Sequence, residues 1–179
     1  MSRNRILRFE AKARSRLVVF GVSLALLLLL GAVIQTSIFG RLTYIGAVPD
    51  IMLCMVLCIA YFNGRHYGAI TGLAAGALIE AIASSGIVLL PLFYMLFGYI
   101  AGHYSRAVQP KRFIPYLFYL MFALFLRAAL TILYACLTYQ NIHLVQILLH
   151  AVLPEMLATA LAGICLYLPL MLFCKKIKA

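Results

Sequence analysis

The sequence predicts an all-α integral membrane protein, folded as one bundle of six transmembrane helices. Its 179 residues are 66% hydrophobic and 11% charged, with a mean hydropathy of +1.07, whereas soluble domains are about half apolar and a quarter charged. At about 20 apolar residues per span, the length allows roughly five to seven helices and no soluble domain. The charged residues also concentrate between the apolar runs and at the two ends of the chain.

The first helix is predicted from Leu17 to Ser37, after a basic segment of residues 1–16 in which Glu10 is the single acid. Such a segment favours retention on the cytoplasmic side, so we expect the N-terminus inside. The apolar run is longer than the core of a signal sequence and lacks a small-x-small cleavage pattern at its end, so we expect it to remain as a helix. Residues 38–48 then form an outer connection.

The second and third helices are predicted close together. Val48-Pro49-Asp50 precedes a short apolar run, Ile51–Phe62. Proline is favoured in a first helical turn, and an acid there meets the positive end of the helix dipole, so the tripeptide indicates a helix start. Asn63-Gly64-Arg65-His66 predicts a tight turn, and the third helix follows over Tyr67–Ala83.

Small residues recur along the third helix and again along the fourth, which is predicted over Ile87–Tyr104. The glycines of this pattern are Gly64, Gly68, Gly72, Gly76, Gly98 and Gly102, and Glu80 and Ser84 continue the register of the first four. A spacing of four keeps such a row on one flank of a helix, and in lipid small-xxx-small faces let helices approach closely. We expect these glycines to pack either inside the bundle or against the helix of another protein.

The last two helices are separated by a long apolar stretch. The fifth is predicted over Phe113–Leu137, after the basic loop 105–112. The apolar run that ends at Phe173 is roughly thirty residues long, which is too long for one simple span. Pro154-Glu155 repeats the helix-start pattern, so the sixth helix is predicted from near Pro154, with Ile142–Leu153 as an outer, partly re-entrant or interfacial segment.

The basic residues predict the orientation of this bundle. With both termini inside, 13 of the 15 Lys and Arg residues lie on the cytoplasmic side, Arg41 lies outside and Arg127 lies within the membrane, as the positive-inside rule requires. The predicted organisation is a basic cytoplasmic N-terminal segment (1–16), a six-helix transmembrane domain (17–173) and a basic cytoplasmic tail (174–179).

Four charged side chains are predicted to form an intramembrane polar cluster in the outer half of the bilayer: Asp50, Glu80, Arg127 and Glu155. An unpaired arginine at the centre of a helix costs about 2.5 to 3.5 kcal/mol, so we expect Glu80 or Glu155 to neutralise Arg127. Asp50 is expected to join this pair, and His150 is a candidate further member. The alternatives for the role of the polar cluster are a static staple of the bundle, a coupling site for a partner helix, and a small-molecule or proton site.

Several function classes are excluded on the same grounds. The net charge of +11 belongs to connections and ends that face anionic headgroups, so no nucleic acid is expected as a partner. The five cysteines lie in apolar runs without a CxxC pair, and the four histidines lack metal-ligand spacing, so neither a metal nor a cofactor is expected. The chain has no catalytic motif such as HExxH or a P-loop, and we predict that it is not an enzyme.

The order of these motifs resembles the MreD family of rod shape-determining membrane proteins over about residues 45 to 173. The resemblance is carried by Pro49-Asp50, Asn63-Gly64, the glycine row closed by an acid at position 80, the pair Gly98 and Gly102, and Leu153-Pro154-Glu155. In MreD the acid that closes the row is commonly Asp, so Glu80 is a departure that keeps the charge and adds a methylene.

The resemblance implies a non-enzymatic scaffold in the bacterial cytoplasmic membrane, within the elongation complex (elongasome) that supports lateral peptidoglycan synthesis and rod cell shape. Its implied partners are the membrane helix of MreC and, through it, RodA, a class B penicillin-binding protein and MreB, together with anionic lipids of the inner leaflet. MreD also resembles in fold the S components of energy-coupling-factor transporters. A vitamin-binding S component is therefore the alternative, although the first helix lacks the Ala-xxx-Ala face by which those subunits dock.

Overall fold

The computed structural model of the chain is all-helical in the residues that it describes, which are 3–37, 49–83, 89–105, 113–138 and 152–178. These ranges contain six helices and no strand. The helices are α1 (Arg3–Ser37), α2 (Ile51–Asn63), α3 (Arg65–Ala83), α4 (Leu90–Tyr104), α5 (Phe113–Thr138) and α6 (Leu153–Lys178). Within these ranges the predicted all-helical class and the six predicted helices are confirmed.

Three helix bounds differ from the sequence prediction by three residues or more. Helix α1 begins at Arg3 instead of Leu17, because residues 3–20 contain no glycine or proline to interrupt it. Helix α6 runs through the predicted tail to Lys178. Helix α4 begins at Leu90, with Pro91 in its first turn. The predicted outer segment before Pro154 lies outside the described residues, apart from its last two positions.

Helix α2 is the centre of the bundle. It contacts each of the other five helices, and every residue from Ile51 to Phe62 is buried. A helix that is apolar on all sides is stable only when it is surrounded. At 13 residues and 1.5 Å per residue, α2 is about 20 Å long, so it is shorter than the helices around it.

Helices α3 and α4 pack antiparallel through the predicted glycine row. A Cβ atom on Gly68 would overlap the backbone of Gly98, and one on Gly72 would lie 2.6 Å from the carbonyl carbon of Tyr94. A Cβ on Gly76 would lie 2.5 Å from Cα of Pro91. Real Cβ atoms do not approach backbone this closely, so each position requires glycine. The row packs inside the bundle, and its flank is not available to a helix of another protein.

A single residue, Gly64, joins α2 to α3, where the sequence predicted a turn of four residues. Gly64 has φ 94°, which an L side chain rarely adopts, and its N–H donates to the carbonyl of Ala60 at 2.8 Å. This ends α2 and lets α3 begin at once with Arg65. Gly102 of α4 packs directly against this junction, since a Cβ there would lie 2.6 Å from Cα of Arg65.

Two of the described helices are long and apolar enough to cross a bilayer. They are the segments Phe113–Tyr134 of α5 and Leu153–Cys174 of α6. Segments Gly21–Ser37 and Ile51–Asn63 are shorter apolar helices. The outward side chains of α5 are apolar, and Ile114 is 75% exposed, which suits contact with lipid or with another membrane helix.

Candidate functional site

At the buried start of α2, three backbone N–H groups donate hydrogen bonds to three different side-chain acceptors. Asp50 is the N-cap residue, and its side chain accepts from the N–H of Leu53 at 3.0 Å. The N–H of Met52 donates to Gln35 of α1 at 3.0 Å, and the N–H of Asp50 itself donates to the hydroxyl of Thr159 at 2.9 Å. Without water in the hydrocarbon region such groups must be satisfied by the protein, so this helix start depends on α1 and α6.

We expect Gln35→Leu and Thr159→Val each to lower the free energy of unfolding by about 1 to 3 kcal/mol, because each leaves one buried N–H without an acceptor. Thr36→Val is the matched control, since the hydroxyl of Thr36 donates to the carbonyl of Ala32 within α1. Thermal unfolding in detergent, followed by size-exclusion chromatography, measures the difference. Equal unfolding temperatures for Gln35→Leu and Thr36→Val would contradict the proposed cap.

The same helix start is the centre of an ionic network. Asp50 forms an ion pair with Arg127 of α5 and accepts a hydrogen bond from the hydroxyl of Tyr94 of α4. Arg127 also donates through Nη1 to the oxygen of Tyr94 at 2.9 Å and through Nε to Glu155 of α6 at 3.2 Å. Thr159 joins the network by donating to the carbonyl of Glu155 at 2.7 Å.

We call these five residues, Asp50, Tyr94, Arg127, Glu155 and Thr159, the four-helix cluster. Within the cluster, Asp50 is 1% exposed and the Arg127 side chain 21% exposed. A buried ion pair is stable only when its remaining lone pairs and protons find partners. The positive end of the α2 dipole, the N–H of Leu53 and the hydroxyl of Tyr94 provide them for Asp50.

The cluster lies well below the end of α5 and within the first two turns of α6. Arg127 precedes the last residue of α5, Thr138, by eleven positions, or about 17 Å. Thr159 follows the first residue of α6 by six positions, or about 9 Å. Asp50 contacts residues at both depths, so the short α2 starts beneath the ends of its neighbours.

Beside Arg127 and Glu155 the described residues leave a pocket of about 10 Å³. That is room for about one water molecule, whereas sites for small molecules measure about 300 to 1,000 Å³. The described ranges also contain no group of three His, Cys, Asp or Glu residues placed to hold a metal ion.

Comparison with known proteins identifies the family. The family model described as rod shape-determining protein MreD matches residues 15–177. The chain belongs to the MreD family. The match extends from α1 to α6 and contains every residue of the four-helix cluster. No match was found among the curated proteins or the solved structures with which the chain was compared.

Membership of the MreD family confirms the resemblance that the motifs predicted. MreD proteins are membrane proteins with a role in rod shape determination, and the two long apolar helices agree with this assignment. The charged residues at the start of α2 and α6 therefore belong to a structural component of the rod-shape system.

In this MreD chain, three of the four charged residues predicted to meet do so: Asp50, Arg127 and Glu155. Of the two acids predicted as alternatives for Arg127, Glu155 is the one in contact. Within the described residues, Glu80 forms no ion pair with Arg127; it lies one turn beyond Gly76 on α3. His150 lies outside the described residues.

The sequence analysis missed Tyr94 and Thr159, which hold the network together. Both carry a weak signal in their spacing. Tyr94 precedes Gly98 by four residues, so it extends the small-residue register of α4 toward the cluster. Thr159 follows Glu155 by four residues, so the two share one face of α6.

Proposed function

We propose that this MreD protein is a non-enzymatic scaffold of the elongation complex in the bacterial cytoplasmic membrane. It docks the membrane helix of MreC and, through MreC, supports RodA, a class B penicillin-binding protein and MreB in lateral peptidoglycan synthesis. The family match over residues 15–177 carries this proposal. The four-helix cluster supports a scaffold because its charged groups bind one another across the bundle.

The proposed topology has six spans with both termini in the cytoplasm. The distribution of Lys and Arg residues supports it, and so do the six helices of the described residues, of which α3 and α4 run antiparallel. In this orientation the start of α2 faces the outside, and the four-helix cluster lies in the outer half of the membrane.

The cluster acts as a staple in this proposal. It joins the N-cap of α2 to α4, α5 and α6, so it fixes the relative positions of four helices at one depth. A partner helix docks on a different surface, because the glycine flanks of α3 and α4 are occupied by each other. The exposed apolar side chains of α5, such as Phe118 and Phe125, form one such surface.

The alternative of a vitamin-binding S component is favoured by one observation, the depth of the polar network beneath the outer ends of α5 and α6. The pocket of about 10 Å³ beside it argues against a ligand of vitamin size. Uptake of labelled vitamins by cells that lack the protein discriminates the two functions. An uptake defect in cells of normal shape would contradict the scaffold.

Depletion of the protein should turn rod-shaped cells into spheres, since the scaffold is needed to direct lateral wall synthesis. A plasmid copy of the natural chain should restore rods. Arg127→Met should fail to do so, whereas Cys136→Ser, at an exposed position on the same helix, should restore them fully. Cell aspect ratio measured by phase-contrast microscopy, with membrane levels of each variant determined in parallel, tests the proposal. Depleted cells that remain rods would overturn it.

A further inference from the structure

An open apolar groove lies between α1 and α3, away from the four-helix cluster. Its volume is about 510 Å³, within the range of about 300 to 1,000 Å³ typical of ligand sites. Its walls include Gly21, Ala25 and Leu28 of α1 and Tyr67, Ile70 and Ala74 of α3. A Cβ atom on Gly21 would meet nothing within 4 Å, so described side chains leave this part of the groove open.

The walls of the groove select an apolar occupant. Nearly all of the lining side chains are aliphatic or small. The hydroxyl of Thr71 donates to the carbonyl of Tyr67 at 2.7 Å, so this polar group of the wall is satisfied within α3. Hydrocarbon can therefore enter the groove without leaving the Thr71 hydroxyl unpaired.

The length of the groove discriminates between two apolar occupants. On α3 it extends from Tyr67 to Leu78, eleven positions, or about 17 Å. The hydrocarbon core of a bilayer is about 30 Å thick, and a membrane-spanning helix follows its whole depth. A groove of about half that depth matches the acyl chain of a lipid in one leaflet.

The charges at one end of the groove indicate which class of lipid binds there. Arg65 and His66 open α3 immediately before Tyr67. Basic residues between membrane helices at the cytoplasmic surface bind anionic lipid headgroups. This end of the groove is complementary to a phosphate group.

We propose that the groove between α1 and α3 binds an anionic phospholipid of the cytoplasmic leaflet, with an acyl chain along Gly21, Ala25 and Ala74 and its phosphate at the basic start of α3, where Arg65 and His66 lie. The choice of leaflet rests on the proposed topology, in which the N-terminus is cytoplasmic. The lipid fills a space that the bundle leaves between its first and third helices, so it forms part of the protein's lateral surface.

The test uses the full chain reconstituted in vesicles with equal amounts of phosphatidylglycerol and phosphatidylcholine, then re-extracted in mild detergent. Native mass spectrometry identifies the retained phospholipids. We expect one retained phosphatidylglycerol, preferred over phosphatidylcholine by about fivefold for each basic residue in contact. Arg65→Gln should reduce this preference by about the same factor.

A phenylalanine in the groove should displace the lipid. Ala74→Phe is expected to lower the retained phosphatidylglycerol at least several-fold, and Gly21→Leu should do the same from the opposite wall. Ala77→Phe is the matched control, because Ala77 is also an exposed alanine of α3 but does not line the groove. Unfolding temperatures of the variants establish that they fold.

Unchanged retention in folded Ala74→Phe and Gly21→Leu would overturn the groove as the site. Equal retention of the two lipids by the natural chain would overturn the role of the basic end. If Ala74→Phe instead abolished capture of the MreC helix with no change in bound lipid, the occupant would be a protein helix and the lipid proposal would fail. A C-terminal reporter found outside the cell would contradict the topology, and with it the proposed scaffold, independently of these results.

Discussion

Replacing Gly72 with leucine is expected to abolish the folded bundle. A Cβ atom at this position would lie 2.6 Å from the carbonyl carbon of Tyr94 and 2.9 Å from Cα of Met95, and backbone atoms cannot rotate away as a side chain can. Overpacking of a rigid contact costs about 3 kcal/mol or more. The separation of α3 and α4 would also displace Tyr94 from Asp50. The measurement is the fraction of monodisperse protein recovered from membranes.

The control for this experiment is Gly21→Leu, the same chemical change on α1. No heavy atom lies within 4 Å of the Cβ position there, so this variant should be recovered like the natural chain. A Gly72→Leu protein that elutes as a single species, with the unfolding temperature of the natural chain, would contradict the close packing of α3 and α4.

Arg127→Met is expected to destabilise the protein by about 3 to 5 kcal/mol, because it leaves the buried carboxylate of Asp50 without its counter-charge. Asp50→Asn should have a smaller effect, since an amide keeps one acceptor for the N–H of Leu53. Glu155→Gln should have the smallest effect of the three, because the Glu155 side chain is 27% exposed. Unfolding temperatures of the purified variants provide this order.

Double-mutant cycles then test which acid is coupled to Arg127. We expect coupling between Arg127→Met and Asp50→Asn to be larger than that with Glu155→Gln, and both to exceed the coupling with Glu80→Gln. Glu80 is the matched control because it is an acid on a neighbouring helix that does not pair with Arg127 in the described residues. A larger coupling energy with Glu80 than with Asp50 would contradict the observed network.

The local signals in the sequence were sufficient for the starts of α2 and α6 and for the glycine spacing. Pro49-Asp50 predicted the N-cap of α2 because capping is decided within one turn of chain. The row from Gly64 to Gly76 predicted close packing for the same reason. Which helix would occupy the row could not be predicted from spacing, because several helices were available and only the observed antiparallel packing matches Gly98 to Gly68.

The partners of Arg127 could not be predicted from the sequence pattern around each residue. Depth along each helix made Glu80 and Glu155 comparable candidates, and it made Asp50 a secondary one. The structure gives Asp50 the central position because α2 is short and starts below the ends of α5 and α6, a property of the whole bundle. Tyr94 was missed because its contact with Asp50 depends on the packing of α4.

The capping of α2 also determines the order in which the chain can mature during synthesis. Asp50 leaves the ribosome long before Arg127 and Thr159, so until those residues are made its carboxylate lacks its counter-charge and its N–H lacks its acceptor. In the proposed six-span topology, lipid solvates neither group. A chain that ends before residue 159 therefore lacks part of its own centre, and we expect quality-control proteases to remove it.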